Sequence, residues 1–369
     1  MRGYDVVVLG GGPAGCATAL SLAQREIGSI LVVESSCYER SRIGETIPPD
    51  TRLVLEQLGV WDDFVSEPHE SCLGSCSSWG DDQLGYNDFL FNPFGNGWHL
   101  DRRRFDSFLA RKAKERGAEV RTGTTFVSAG RIGSEGFRLR LAGGDGQTQT
   151  VTARFVVDAT GMHSGFARQM GAKKLFLDRL ICVTAFFEFT TYSSFSQLTL
   201  LEAVEYGWWY AARLPNGRLT VALASDPELI RRTGLNQKDA WLARLRETNH
   251  LTSVVANCAF LEDSLRVCNA PSLLLDRTVG NGWLAVGDAA STYDPISSQG
   301  IYKALANGVS AAEVIVAFFA GKEESLSDYQ TSVAGRFDDY LANRNFFYGV
   351  EQRWSASPFW SRRRQRTAL

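Results

Sequence analysis

An apolar run, Val6 to Leu9, ends in Gly10-Gly11-Gly12-Pro13-Ala14-Gly15, and a second, Ile30 to Val33, ends in Glu34, nineteen residues beyond Gly15. Strand, glycine turn, helix, strand and acid in this order form the seat of a dinucleotide. Of Gly10, Gly12 and Gly15, one permits the tight turn, one lets the backbone approach a pyrophosphate, and one lets the following helix pack against the strand. Pro13 tolerates the first helical turn because it lacks only an N–H that would be unpaired there, and Ala14 continues that turn. The free amides at this helix start attract diphosphate, while Glu34, followed by Ser35, is placed to take ribose hydroxyls.

A chain of 369 residues suits about two domains, and a 44% hydrophobic share can build a core in each. The net charge of −2 gives no reason to expect a nucleic-acid surface. Arg362-Arg363-Arg364-Gln365-Arg366 is the local exception, read as a solvated tail, with a dock for an acidic partner as the lesser alternative. Seven cysteines, at 16, 37, 72, 76, 182, 258 and 268, imply no disulfide framework. Cys72 and Cys76 are spaced like half a metal site, but His69, His99, His163 and His250 are scattered, so no metal is expected. The first strand begins by residue 5, leaving no room for a signal peptide, and the apolar stretch Val314 to Ala320 is far shorter than a membrane span. A cytoplasmic protein without a membrane partner is expected.

The class is α/β. Paired prolines make Arg42-Ile43-Gly44-Glu45-Thr46-Ile47-Pro48-Pro49 a rigid loop before a helix over Asp50 to Leu58. Residues 71–98 read as short strands or a covering loop, and Asp101 opens an amphipathic helix to about Arg116. Ala118 to Val120 is a strand, and Phe137 to Leu141 with Val151 to Val157 form a hairpin. Ile181–Phe189, Gln197–Val204, Gly207–Leu214 and Arg218–Ala224 form a separate antiparallel sheet, with Pro215-Asn216-Gly217 as a turn. Trp283 to Val286 is a buried strand, and a long helix starts near Gly300. Residues 1–70, 99–165 and 270–325 are expected to form the nucleotide domain, 71–98 and 166–269 a substrate domain, and 326–369 a C-terminal helical segment.

Three further segments point to a flavin. Val156-Val157-Asp158-Ala159-Thr160-Gly161 is an apolar strand ending in an acid and a glycine. Leu284-Ala285-Val286-Gly287-Asp288-Ala289-Ala290 places Asp288 where it can bind a ribityl hydroxyl. Asp294-Pro295-Ile296-Ser297-Ser298-Gln299-Gly300-Ile301 starts a helix whose free amides point at an anion. With Arg42, Gly44-Glu45 and Leu100-Asp101-Arg102, these segments resemble the FAD-dependent monooxygenase superfamily of the aromatic-hydroxylase and tryptophan-halogenase type, over nearly the whole chain. The resemblance implies a Rossmann-like FAD-binding domain of the glutathione-reductase type, an antiparallel-sheet substrate domain and C-terminal helices. It also implies that the segment 294–301 lies beside the isoalloxazine, where helix amides stabilise negative charge on reduced flavin.

Departures from the family narrow the chemistry. In the halogenases a lysine that handles hypohalous acid stands a few positions before a tryptophan; aligning on Trp79 puts Ser75 there, and no lysine occurs between Arg42 and Lys112. The halogenases' Ser-Thr pair at the halide site is Ser298-Gln299 here, and their Trp-x-Trp-x-Ile-Pro signature is only echoed by Trp208-Trp209-Tyr210-Ala211-Ala212-Arg213-Leu214-Pro215. The resemblance therefore implies oxygen insertion from a flavin C4a-hydroperoxide, with Ser298 and Gln299 as candidates to bind that group or the substrate, or to cap the helix. Asp158-Ala159-Thr160-Gly161 and the lack of a second GxGxxG suggest that electrons come from NAD(P)H directly or from a partner flavin reductase.

Gly97 to Asp106, Gly207 to Tyr210 and the aromatic segment from Phe347 to Trp360 are similar to flavoproteins that hydroxylate tryptophan within a peptide or protein, as in tryptophylquinone maturation. Trp208, Tyr210, Phe347, Arg353 and Trp354 are the substrate candidates, with Trp209 and Trp360 as further mouth or core residues. The alternatives are an isoprenoid reductase of the geranylgeranyl type, a small-molecule aromatic hydroxylase or halogenase, and a flavin-binding maturation partner without turnover.

Overall fold

The computed structural model describes residues 2–39, 42–133, 136–190 and 196–364; Gln365 and Arg366 of the arginine run lie outside them. In the first strand, Arg2–Leu9, Val6 to Leu9 are all buried, as befits a parallel strand covered on both faces. It pairs in parallel with Ile30–Val33 on one side and Thr148–Asp158 on the other. Glu119–Arg121 and Trp283–Ala285 extend the parallel sheet outward. Thr148–Asp158 also pairs with Gly136–Gly143 in the expected hairpin, and that strand pairs with Thr124–Ile132, which the sequence reading missed. Much of Thr124–Ile132 is solvent-exposed, so it lacks the apolar run that marks a core strand.

Helices Pro13–Gln24 and Gly300–Phe319 cross on one face of this sheet. By length and composition the second is apolar enough to cross a membrane, contrary to the short stretch read from the sequence, but its packing makes it a core helix. A Cβ on Gly308 would lie 2.6 Å from the Ala14 carbonyl oxygen and 2.7 Å from the Ala17 Cβ. Gly308→Val is therefore expected to destabilise the protein by about 1–3 kcal/mol through overpacking. Urea unfolding tests this, and an unchanged midpoint would show that the helices part freely.

The second sheet runs Cys258–Phe260, Ile181–Phe189, Arg218–Ser225, Gly207–Leu214, Leu198–Val204, Gly74–Ser78 and Gly85–Asp88. Its long strands match the sequence reading within a residue at either end. Asn216 and Gly217, at φ +66° and +68°, make the turn between two of them, a conformation that suits Asn-Gly. Leu198–Val204 pairs in parallel with Gly74–Ser78, an exception to the antiparallel expectation. Register puts Thr184, Ala222, Tyr210, Leu201 and Ser77 in one row on one face. Val183, Leu223 and Trp209 share the other face, where Trp209 meets Trp241 of helix Lys238–Arg246 at 5.0 Å between rings. Period-two alternation thus divides the sheet into a core face and a site face.

The C-terminal helices are present as Glu324–Val350 and Pro358–Arg364. Phe337, Tyr340, Leu341, Arg344 and Tyr348 form the buried stripe of the first. The arginine run is not a solvated tail over its described part. Arg363 is buried and pairs with Asp226 at 2.7 Å, while Arg362 reaches the same carboxylate at 2.9 Å.

Candidate active site

The C-terminal ends of the first sheet's strands open onto a cleft of about 550 Å³, walled by the glycine loop, Glu34, Ser35, Arg42, Thr160 and Gly161. Gly10 has φ +113°, and a Cβ there would lie 2.1 Å from the Ala159 carbonyl oxygen. A Cβ on Gly15 would lie 1.9 Å from the Gly10 carbonyl oxygen, so this residue closes the helix onto the turn. At Gly12 the nearest atom to such a Cβ is the Arg42 Nη1 at 3.9 Å, leaving its side open to the cleft. Glu34 is buried: its Oε2 accepts the Gly11 N–H at 2.8 Å, and its Oε1 accepts the Ser36 N–H and hydroxyl at 2.9 and 2.6 Å. The acid is thereby oriented at the cleft edge, where a ribose would lie.

Arg102 binds Asp106 through two N–H bonds of 3.1 Å and the Ile43 and Gly44 carbonyls at 2.9 and 3.0 Å. This fork fastens the 42–49 loop to the helix Arg102–Glu115, whose N-cap Asp101 accepts the Arg103 N–H at 3.0 Å. Burial works against the Arg102 charge, but Asp106, together with Glu45 and Asp288, outweighs it and holds its pKa raised.

Asp158 and Gly287, expected at the cofactor, are not among the residues walling the cleft. Asp158 is fully buried: its Oδ1 accepts the Thr160 N–H and hydroxyl, and its Oδ2 accepts the Ala167 N–H at 2.7 Å. It shapes the Ala159–Gly161 loop rather than facing the cleft. Gly287, at φ +58°, lets its turn lie against the first helix, since a Cβ would stand 2.7 Å from the Ala14 Cβ.

Pro13, Arg102, Asp288 and Ala304 border both this cleft and a second cavity of about 300 Å³, so the two spaces adjoin. The cavity lies between the site face of the second sheet and the 294–301 segment: Trp208, Tyr210, Thr184 and Thr220 on one side, Pro295, Ser298, Gln299, Gly300 and Ile301 on the other. Ser298 adopts φ +49° and ends a short turn, Pro295–Ser297, before the helix Gly300–Phe319 begins. Neither Ser298 nor Gln299 caps that helix through its side chain. An elongated cleft with a glycine cradle, leading to a cavity beside a helix start, fits FAD: the nucleotide half in the cleft, the ring in the cavity.

Glu45 is buried in the cavity wall; its Oε2 accepts the Gly44 N–H at 3.0 Å, and its Oε1 has no hydrogen-bond partner among the described residues. Burial pushes its pKa up to about 7, with Arg102 opposing the rise. Tyr210 shares a 2.7 Å hydrogen bond with the Thr46 hydroxyl of the same loop. Lys303, absent from the sequence reading, is buried with its ammonium 2.8 Å from Asp288 Oδ1, on the Ser291 carbonyl and 4.3 Å from the Tyr293 ring centre. It fixes Asp288 between the two spaces.

The substrate candidates divide. Trp208 and Tyr210 wall the cavity, and the Trp208 Nε1 donates to the Tyr348 hydroxyl at 3.0 Å. Phe347, Arg353 and Trp354 stand outside its walls. The Phe347 carbonyl accepts the Trp79 Nε1–H at 2.7 Å; Arg353 pairs with Glu351 and Asp82; Trp354 stacks on the buried Trp360. They secure the chain where the long helix ends. Trp209 lies on the core face of its sheet. Ser75 pairs with Thr199 on the site face but does not reach the cavity. All seven cysteines are free.

Residues 3–339 match the family model described as an FAD binding domain. LodB of Marinomonas mediterranea, named as an FAD-dependent oxidoreductase, is 30% identical over all of this chain and 99% of its own. A protein named tryptophan 2-halogenase, from Chondromyces crocatus, is 25% identical over 96% of this chain and 70% of its own. Among solved structures, the myxobacterial chondrochloren halogenase CndH shares the fold at TM-score 0.91 and 22% identity, covering 98% of this chain and 86% of that one. The peptidyl tryptophan dihydroxylase QhpG gives TM-score 0.80 at 25% identity, covering 98% and 79%. The chain belongs to the FAD-binding family shared by flavin-dependent halogenases and aromatic hydroxylases, and is an FAD-dependent oxidoreductase.

Proposed function

We propose that this enzyme is a monooxygenase that hydroxylates the indole ring of a tryptophan carried by a peptide or protein. The observation that carries the reading is the cavity wall: Trp208, Tyr210, Thr184 and Thr220 face the helix start at Gly300, and no lysine borders the cavity among the described residues. A halogen-transferring site of this family uses such a lysine, whereas an indole is nucleophilic enough to take an electrophilic oxygen without one. Likeness to a peptidyl tryptophan dihydroxylase supports the substrate class.

Glycine-loop amides, Glu34, Arg42 and Asp288 would hold FAD, which when reduced supplies the electrons that activate dioxygen. The chain's own contribution is to exclude water and orient the ring. Trp208 and Tyr210 offer flat apolar faces to an indole, Ser298 and Gln299 offer hydrogen bonds at the helix start, and the Gly300 amides present a positive field. The electron donor is NAD(P)H or a partner flavin reductase.

Aerobic incubation of the reduced holoenzyme with tryptophan-containing peptides and chloride or bromide tests this by tandem mass spectrometry. One or two oxygen atoms gained on the indole are expected. A halogen gained instead would overturn the reading in favour of the chemistry named for the tryptophan halogenase relative.

A further inference from the structure

Glu45 separates two spaces. It walls the inner cavity and also a small outer cleft of about 30 Å³, bounded by Arg42, Arg103, Arg218 and Asn216 near the surface. That cleft has room for a water molecule, which needs roughly 10–15 Å³. The carboxyl is buried: its Oε2 accepts the Gly44 N–H at 3.0 Å, its Oε1 has no partner within hydrogen-bonding geometry among the described residues, the Thr220 hydroxyl acts on the group from the sheet, and Arg102 holds the Ile43 and Gly44 carbonyls in place. A buried, unpaired carboxyl oxygen costs free energy, so the position calls for a function.

We propose that Glu45 is the base that takes the proton leaving the indole ring and passes it to solvent through the outer cleft. The inference rests on the hydroxylase reading above. Dioxygen, with two electrons from reduced flavin, supplies an oxygen atom to a ring carbon, which then bears both hydrogen and hydroxyl while the ring carries positive charge. Transfer of that hydrogen as a proton to the Glu45 carboxylate returns the C–H electron pair to the ring and restores aromaticity. The second oxygen atom of dioxygen leaves as water, and the carboxylic acid gives its proton to a water in the outer cleft.

Around Glu45 near neutral pH, burial also raises the Asp294 carboxyl, with Arg344 opposing, and the Tyr293 hydroxyl, while the Thr220 hydroxyl acts on the Glu45 carboxylate. Burial pushes the Tyr210 hydroxyl and the Cys182 and Cys268 thiols upward, so they stay neutral there. Arg102 from its helix, Arg42, Arg103 and Arg218 around the cleft, and the Asp101 and Asp288 carboxylates complete the charged surroundings. Burial sets Glu45 itself at about 7, the range that suits a base at neutral pH.

Single-turnover hydroxylation of a tryptophan-containing peptide by reduced holoenzyme, followed across pH, is compared in wild type, Glu45→Gln and Glu45→Asp. The wild-type rate is expected to rise with pH and level off above about 7. Glu45→Gln is expected to lose about 10²- to 10⁴-fold and the pH limb, with Glu45→Asp recovering part of the rate. In parallel, infrared titration of the oxidised holoenzyme without peptide is expected to show a carboxylic acid band that disappears near pH 7. The band is absent from Glu45→Gln, while FAD absorbance shows the cofactor retained. Wild-type activity with an unchanged rate and pH profile in Glu45→Gln overturns the role, as does the absence of that band. A wild type that makes no oxygenated peptide sinks the hydroxylase reading, and this role with it, a result separable from an active but unaffected Glu45→Gln.

Discussion

Gly15→Ala is expected to yield a protein that binds FAD about 10- to 100-fold more weakly, following an overpacking cost of about 1–3 kcal/mol at the cradle itself. The added carbon would stand 1.9 Å from the Gly10 carbonyl oxygen and 3.1 Å from the Ala159 Cβ. The first of these is backbone in a turn already held by the Gly10 N–H bond to the Val33 carbonyl at 2.8 Å, so it cannot rotate aside as a side chain would. Relief must come from lifting the helix Pro13–Gln24 off its strand, which moves the very amides that face the diphosphate. Gly335→Ala is the control: it lies on an exposed helix face with nothing within 4 Å of a new Cβ, so FAD affinity should be unchanged and stability equal or slightly higher. Flavin fluorescence titration measures both. Wild-type affinity in Gly15→Ala would mean that the glycine turn is not the cofactor's seat.

The glycine loop was legible because its parts are close in sequence and each has a steric reason. The same holds for Glu34, for Asp101 as a helix cap, and for the alternating strands of the second sheet, whose period of two survives any tertiary context. Residues whose role depends on distant partners were harder. Asp158 ends a strand like a cofactor ligand, yet amides nine or fewer residues ahead consume both its oxygens. Arg363 reads as tail until Asp226, more than a hundred residues earlier, is seen beside it. Trp354 and Arg353 read as mouth residues because aromatic and basic side chains near a chain end fit either a surface or a clasp; the clasp is set by Asp82 and Trp360.

A usable signal did exist for Lys303 and Arg344. Lys303 falls among Ile301, Ala304, Leu305 and Gly308 on the buried side of its helix, where a lone charge requires a partner. Arg344 sits three residues after Leu341 and four before Tyr348, on the apolar stripe of the long helix. A charged residue at an apolar position of a helix predicts a nearby counter-ion, and both have one: half-exposed Asp288 beside Lys303, and buried Asp294 with Asp178 beside Arg344.

Arg344 leads to the second large expected effect, because it joins the C-terminal helix to the segment walling the cavity. Its guanidinium lies 2.6 Å from Asp178 and 3.5 Å from Asp294, with only 4% of the side chain exposed. Asp294 is wholly buried; it accepts hydrogen bonds from the Ile296 N–H at 3.0 Å and the Tyr348 hydroxyl at 2.8 Å, and its own N–H donates to the Tyr340 hydroxyl. Burial raises the Asp294 pKa, and Arg344 opposes that rise. Arg344→Leu fills much of the space but strips the buried carboxylate of its cation, a change expected to cost about 3–5 kcal/mol near pH 8. A carboxyl raised by burial holds its proton more tightly in the folded state, so stability is lost as pH rises through its folded pKa. Removing the arginine raises that pKa further, and the deficit should therefore be smaller at pH 5 than at pH 8. Urea unfolding at the two pH values reads this directly, and Arg344→Lys should recover part of the loss without restoring the planar fork. Because Asp294 leads into Pro295, Ser298 and Gly300, FAD affinity should weaken together with stability in Arg344→Leu. A midpoint equal to wild type at both pH values would show that the C-terminal helix does not hold the cavity wall.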